Sequence, residues 1–272
     1  MILVVASTKD VASLNIRDQL LTHYDFKEST EVFHSNPVYF RAFGNDVVKL
    51  VTIREEASYY QNITCHFNPQ LIVFISRHAS KSGTPTLSVH APGNLAEAHK
   101  GGISKRVSIA PANAMKEALQ EMEQQKAELS LNHQVSYECT HHGPSLDLPA
   151  MFVELGSTNA QWKDVKAAEA IAHATIKAVS SRSVGSNAAV GIGGPHYNRK
   201  FTDLALQGPP AFGHIISKHA IPQITEEILI QCVERTVERV ETVFLDWKGV
   251  RGSDKPKLME ALEKVGLGFQ KV

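Results

Sequence analysis

Three apolar, strand-length runs in this chain each break into a turn rich in glycine, proline and serine that carries histidine. They read LIVFISRHASKSGTPTLSVHAPGN from Leu71 to Asn94, VSYECTHHGPS from Val135 to Ser145 and AAVGIGGPHYNRKF from Ala189 to Phe201. A shorter case, AFGHIISKH, runs from Ala211 to His219. Continuous apolar runs such as Leu71 to Ile75 are strands covered on both faces, as in parallel sheets flanked by helices. In open α/β sheets, ligands bind in the crevice outside the strand ends. Turns usually hold Asn, Asp, Ser and Gly. Repeated histidine there points to side chains converging on one polar site, and so to an enzyme rather than a scaffold.

The remaining elements fit that frame. Ile2 to Ala6 is a buried strand, and Ser7 or Thr8 can cap the helix that follows, whose stripe is Val11, Leu14, Leu20 and Leu21. VYFRAF and DVVKLVTI, joined near Gly44 and Asn45, read as a hairpin. Helices are expected over 59–67, 111–129, 160–181, 222–239 and 256–265, with proline in the first turn of three of them and Gly266 stopping the last. Val165, Ala168, Ala172, Ile176 and Val179 fall at three- and four-residue spacings on one face of the helix from 160. TLSVH, VSYECT, MFVELG and the segments 188–192, 212–216 and 242–245 read as strands. The expected fold is a three-layer α/β/α arrangement around a mixed, largely parallel sheet. One catalytic domain would span 1–272, with an inserted loop-rich lobe around 77–150.

Composition narrows the class. A chain of 272 residues with 43% hydrophobic residues has a real core. Its 28 basic and 28 acidic residues cancel, so any nucleic-acid contact must be a local patch rather than a global footprint. The three cysteines, Cys65, Cys139 and Cys232, are far apart with no CxxC pair, which suits a reducing compartment. No run approaches the ~20 apolar residues of a membrane span, and the N-terminal segment lacks a basic region. The expectation is a cytoplasmic protein, monomeric or a small homo-oligomer, with no obligate protein partner and no membrane contact.

Several side chains stand out. His78 and His90 share a segment with five basic residues (Arg77, Lys81, Lys100, Lys105, Arg106), one acid (Glu97) and glycines that include Gly83. A flexible, cationic loop of this kind suits phosphate. Glu138, His141 and His142 gather imidazole and carboxylate, which can bind Zn²⁺ or act as base and orienter. Adjacent histidines in a strand face opposite sides; beyond the strand end, at Gly143 and Pro144, both can converge. Glu154 lies in an apolar strand and needs a partner such as His141 or His142. GIGGPHY lacks the dinucleotide-binding spacing; Gly193 and Gly194 are expected to bring backbone close to a ligand and to deliver His196, with Arg199 and Lys200 toward phosphate. His214 is either a core histidine or a site member. His23, His34, His66, His99, His133, His173 and His219 read as surface or structural. No HExxH and no GxSxG elbow occurs, and Cys139 reads as a small core hydrophobe.

SRHASKSGTPTLSVHAPGN, ECTHHGPS, GIGGPHY with RKFT, FGHI and DWKG together resemble the archaeal and plant type of D-aminoacyl-tRNA deacylase, over nearly the whole chain. The resemblance implies hydrolysis of the ester joining a D-amino acid to tRNA, a zinc dependence, and a fold related to peptidyl-tRNA hydrolases. On that basis His78, His142, His196 and Glu154 are the catalytic candidates. His90, Glu138, His141 and His214 are the zinc-ligand candidates. Lys81, Gly83, Lys105, Arg106, Gly193, Gly194, Arg199 and Lys200 are the candidates for the tRNA acceptor end. The competing readings are a peptidyl-tRNA hydrolase or zinc exopeptidase, a nucleoside phosphorylase-like enzyme, and a non-catalytic tRNA-binding module.

Overall fold

The computed structural model describes residues 1–44, 46–180 and 187–272. The chain opens with β1 (Ile2–Ser7), buried throughout, and α1 (Val11–His23). The cap of α1 is Asp10 rather than Ser7 or Thr8. Asp10 Oδ1 accepts the Ser13 amide at 3.0 Å, while the Ser7 hydroxyl donates to the Glu55 carbonyl at 2.6 Å. An antiparallel meander follows: β2 (Lys27–Phe33), β3 (Asn36–Phe43) and β4 (Asp46–Ile53). β2 escapes a sequence reading because KESTEVF is polar and largely exposed. Asn45, in the expected hairpin turn, lies outside the described residues. The expected helix over 59–67 is two 3₁₀ turns, Ala57–Tyr59 and Gln61–Cys65.

Next come β5 (Leu71–Ala79), β6 (Thr86–His90), the two-residue strands β7 (Gly93–Asn94) and β8 (Arg106–Val107), α2 (Ala112–Glu128), β9 (Gln134–Tyr137) and β10 (Ala150–Ser157). Eight strands form one mixed sheet in the order β2-β3-β4-β1-β5-β10-β6-β9. β4, β1, β5 and β10 run parallel, and β6 lies antiparallel to β10. Residues 77–150 therefore do not stand apart as a lobe. β6 and β9 pair within the main sheet, and α2 buries Met115, Leu119 and Met122 in the same core. TLSVH is buried along its whole length, which a surface lobe does not provide.

The helix expected over 160–181 is two, α3 (Asn159–Trp162) and α4 (Val165–Ser180). The break falls at Asp164, whose carboxylate accepts the amides of Lys166 at 3.0 Å and Ala167 at 3.1 Å and so starts a new helix. Val165, in that first turn, is exposed rather than part of the stripe. Ser181 lies outside the described residues. The chain then builds a second, four-stranded sheet: β11 (Ala188–Ile192), α5 (Arg199–Gln207), β12 (Ala211–Ile216), α6 (Glu226–Glu234), β13 (Val240–Leu245), α7 (Lys255–Val265) and β14 (Phe269–Lys271). Its order is β12-β11-β13-β14, all parallel. α6 stops at Glu234 instead of running to 239. The Arg235 guanidinium is held by the carbonyls of Val107 and Leu146 at 2.7 and 2.8 Å, and Val237 N–H donates to the Ala110 carbonyl.

The pleat of the main sheet divides its residues by alternation. Val73, Ile75, Leu87, Val89, Met151, Val153 and Leu155 pack with α1, α2 and α4. Ile72, Phe74, Ala150 and Phe152 belong to the opposite face, under the 3₁₀ turns and Leu146. α6 and α7 share a separate core with β11 and β13.

Phe201 of α5 lies in the buried cluster that β11 and β12 share with the main sheet. Its ring is fully buried, 4.9 Å from that of Phe212, and lies where a Cβ on Gly191 would come within 2.6 Å of it. Bare backbone at Gly191 makes room for the ring. Phe201→Ala leaves a cavity at this junction and is expected to lower stability by about 3–5 kcal/mol, read as a shift of the denaturant midpoint. A loss under ~1 kcal/mol would mean that the junction collapses freely around the deletion.

Candidate active site

The face of the main sheet away from the helices changes character along its length. On β5 the sequence of side chains on this face is Ile72, Phe74, Ser76, His78; on β10 it is Ala150, Phe152, Glu154; on β6 it is Ser88, His90. The register places Glu154 between Ser76 and Ser88, and Phe152 opposite His90. Hydrocarbon at one end thus gives way to a buried polar cluster at the other. The cluster lies partly on the sheet's face and is completed from beyond the strand ends by Glu138, His141, His142 and His196.

Two buried carboxylates organise it. Glu138, just past the end of β9, accepts from Ser88 Oγ at 2.5 Å through Oε1. Its Oε2 meets His78 Nδ1 at 2.9 Å and His196 Nε2 at 2.8 Å. Glu154 accepts from Ser76 Oγ at 2.5 Å, and its Oε2 lies 3.3 Å from His78 Nδ1 and 3.7 Å from His90 Nε2. Burial raises the pKa of each acid, but hydrogen bonds from His196 and His78 to Glu138, and from His78 to Glu154, outweigh it and hold both below the ordinary carboxylate range. Burial likewise lowers His78, yet its bonds to Glu138 and Glu154 push it up to about 10. His196 is pushed up to about 11 against burial by Cys139, whose Sγ lies 3.1 Å from Nδ1, and by Glu138. Glu154 finds its partner in His78 rather than in His141 or His142.

His196 arrives from the second sheet. The Cys139 amide donates to the His196 carbonyl, the Asn198 amide donates to the Tyr137 carbonyl, and Glu138 forms a bridge with Tyr197. The turn after β11 is thereby laid along the end of β9, with His196 aimed at Glu138.

A second group adjoins the first. The ring centroids of His90, His141 and His142 lie 4.2, 4.8 and 4.3 Å apart in pairs. Each Nδ1 faces a backbone carbonyl, of Ala91 at 3.2 Å, Cys139 at 2.8 Å and Gly143 at 2.7 Å respectively. A carbonyl only accepts, so each Nδ1 carries a proton, and in the neutral ring Nε2 is left with a lone pair. His90 Nε2 is buried and has no hydrogen-bond partner among the described residues. One ring nitrogen from each of the three lies within 4.8 Å of the others. His142 has φ of 41°, a left-handed value uncommon outside glycine. That turn lets two adjacent rings face the same way. Burial, then the neighbouring imidazoles, keep His141 well below and His142 at about 4, so both are neutral at physiological pH. Three imidazoles, one of them with an orphaned buried nitrogen, are a donor set that fits Zn²⁺, and orientation through Nδ1–H···O=C is how such ligands are normally fixed.

A cavity of about 350 Å³ opens onto the cluster, lined by His78, His141, His142, Ser76, Phe152 and Glu154 together with Asp10, Glu56, Tyr59, Arg77 and Lys100. Asp10, Glu56, Tyr59, Ser76 and Ser88 were missed from the sequence. For the two serines a signal existed, a hydroxyl at an inward position of a buried strand. Asp10 is buried, accepts the Arg77 amide at 2.7 Å, and has a pKa raised by burial to about 6.

Other expected residues fall elsewhere. His214 is buried between the Thr140 hydroxyl at 3.0 Å and the Arg235 carbonyl at 3.1 Å, and stands in none of the ligand clusters found among the described residues. It is a satisfied core histidine. Gly193 and Gly194 admit Asp246 of the DWKG turn rather than a ligand; a Cβ on either would come within 3.1 Å of an Asp246 side-chain atom. Lys200 is committed to Asp246 at 2.6 Å, and Arg106 to Asp147 at 2.6 Å. Arg199, 92% exposed, pairs loosely with Asp203. Lys81 and Lys105 are exposed, and Gly83 has a left-handed φ of 67° in the turn after β5.

A family model described as D-aminoacyl-tRNA deacylase matches residues 65–270. The D-aminoacyl-tRNA deacylase of Thermococcus kodakarensis is 40% identical over 98% of this chain and 98% of its own length. That of Pyrococcus horikoshii is 38% identical over 98% and 99%. A crystal structure described as a conserved protein of unknown function superposes with a TM-score of 0.87 at 32% identity, covering 100% of this chain and 95% of that one. By sequence along almost its entire length, and by fold, the chain belongs to the D-aminoacyl-tRNA deacylase family.

Proposed function

We propose that this chain hydrolyses the ester of D-aminoacyl-tRNA, releasing the free D-amino acid and tRNA, at the cluster of His78, Glu138, Glu154 and the three imidazoles His90, His141 and His142. The observation that carries the reading is the orphaned, buried Nε2 of His90 facing the neutral imidazoles of His141 and His142 beside a buried carboxylate. His90, His141 and His142 would hold a zinc ion. When bound, zinc supplies Lewis-acid charge that lowers the pKa of a water and polarises a carbonyl. Glu138 lies 3.7 Å from His141 Nε2, but its hydrogen bonds to His78 and His196 make it an orienting group rather than a ligand.

The chain's own groups divide the remaining work. Glu154 is ionised and lines the cavity, so its Oε2 can accept a proton from the attacking water. His78 holds its proton through neutral pH and stands at the cavity wall, where its positive charge offsets the charge developing on the ester oxygen and its proton can pass to the departing ribose oxygen. Glu138 fixes that imidazole in place, and His196 completes the compensation of Glu138 from the other sheet. Tyr59, Lys100 and Arg77 border the cavity where the acceptor end would enter. Among the described residues Lys81 and Lys105 have no carboxylate partner and Arg199 is only loosely paired with Asp203, so these can meet phosphate, whereas Arg106 and Lys200 are tied to carboxylates.

The direct test is hydrolysis of D-tyrosyl-tRNA against L-tyrosyl-tRNA, with and without a zinc chelator. The expected result is D-selective loss that chelation abolishes and zinc restores. D-selective loss in protein shown to be metal-free would leave the reaction to Glu154 and His78. No hydrolysis of either ester would overturn the reading. His142→Ala is expected to lower turnover at least ~100-fold; near-normal turnover in that variant would remove His142 from the machinery.

A pH dependence follows from the two imidazoliums. His78 and His196 rise from 6.5 to about 10 and about 11 on folding. Their stabilisation is complete below pH 6.5 and is lost as pH rises through those folded values. The melting temperature of metal-free protein is expected to fall across that alkaline range, and His196→Gln to flatten the decline. An equally steep decline in the variant would show that His196 is not charged in the folded state.

A further inference from the structure

Outside the cavity, two histidines that read as surface residues meet across a helix pair. His23 is the last residue of α1; Glu169 and His173 lie one turn apart on α4. His23 Nε2 is 3.7 Å and His173 Nε2 3.8 Å from the same oxygen, Glu169 Oε1. The two rings are 5.5 Å apart, edge to face. One ligand atom from each residue lies within 4.8 Å of the others. His173 Nδ1 is 2.6 Å from the Tyr24 hydroxyl, a contact that fixes the ring with Nε2 toward Glu169. All three side chains are partly buried, between 23% and 32% exposed.

We infer that His23, Glu169 and His173 form a second, structural binding site for a divalent cation of the zinc type, which ties the end of α1 to α4. Two imidazoles and one carboxylate are a donor set for zinc and its neighbours rather than for calcium or magnesium. In a tetrahedron with bonds of ~2.0–2.1 Å, ligand atoms stand roughly 3.3 Å apart. The two separations to Glu169 exceed that by about half an ångström, within reach of small rotations of partly exposed side chains. Water would fill the fourth position. The bound form requires a proton on His173 Nδ1, donated to the Tyr24 oxygen, the outer-shell bond that metal-binding histidines commonly make. The alternative is a plain histidine–carboxylate contact with no ion.

The site is separate from His90, His141 and His142, so counting ions distinguishes the two. Equilibrium dialysis of the full chain against Zn²⁺ is expected to show one more bound equivalent in wild type than in His23→Ala or Glu169→Gln. If the buried imidazoles hold no ion, the counts become one and none, and the difference is the same. Tyr24→Phe keeps all three ligands and is expected to weaken this one equivalent about tenfold. Zinc is also expected to raise the melting temperature of wild type by more than that of His23→Ala. Equal counts and equal zinc-induced shifts in wild type and both ligand variants would overturn the proposal, as would unchanged affinity in Tyr24→Phe.

Discussion

A carboxylate with no access to solvent, Glu138, sets the terms for much of this structure. A buried charge is tolerated only when paired and hydrogen-bonded, and Glu138 draws its partners from three places: Ser88 on β6, His78 on β5 and His196 from the turn after β11. The first two come from the main sheet and the last from the second. Satisfying one group therefore ties the two sheets together. Removing either imidazole strands a charge, and breaking such a pair costs about 3–5 kcal/mol in general. The same bonds hold both imidazoles protonated, so the contact that joins the sheets also sets the charge of the cavity wall.

The division of labour among the histidines follows from what each ring touches. Where it meets a backbone carbonyl and burial disfavours charge, as in His141 and His142, the ring stays neutral and offers a lone pair. Where the ring meets a carboxylate, as in His78 and His196, it takes a proton. Five imidazoles in contact would repel one another if all were charged. Keeping His141 and His142 neutral beside cationic His78 and His196, which Glu138 and Glu154 balance, makes their crowding possible.

Much of this was legible in the sequence. Apolar runs located β1, β5, β10, β11 and β12, because a strand buried on both faces leaves a continuous hydrophobic signal. Histidine at the ends of such runs located His78, His90, His141, His142 and His196, all of which the structure gathers. The misreadings have physical causes. β2 is polar and exposed, so nothing in its composition separates it from a loop. Whether four late strands extend the first sheet or form another depends on long-range pairing that no local pattern records. His214 has the same strand-and-turn setting as the true site members; only its two fully used ring nitrogens identify it as core. Arg106 and Lys200 look free in sequence and are bound to Asp147 and Asp246 across the fold.

The alternation along β5 has a further consequence for how such a protein can change. Val73 and Ile75 point into hydrocarbon beneath the helices, while Ser76 and His78 belong to the opposite face and its chemistry. Neighbouring positions answer to different pressures: one set to volume and shape, the other to charge and proton inventory. A single-residue insertion or deletion within the strand would exchange the two sets wholesale. The strand can therefore drift by substitution on either face but cannot change length, and the reading frame of its pleat is what lineage divergence must preserve.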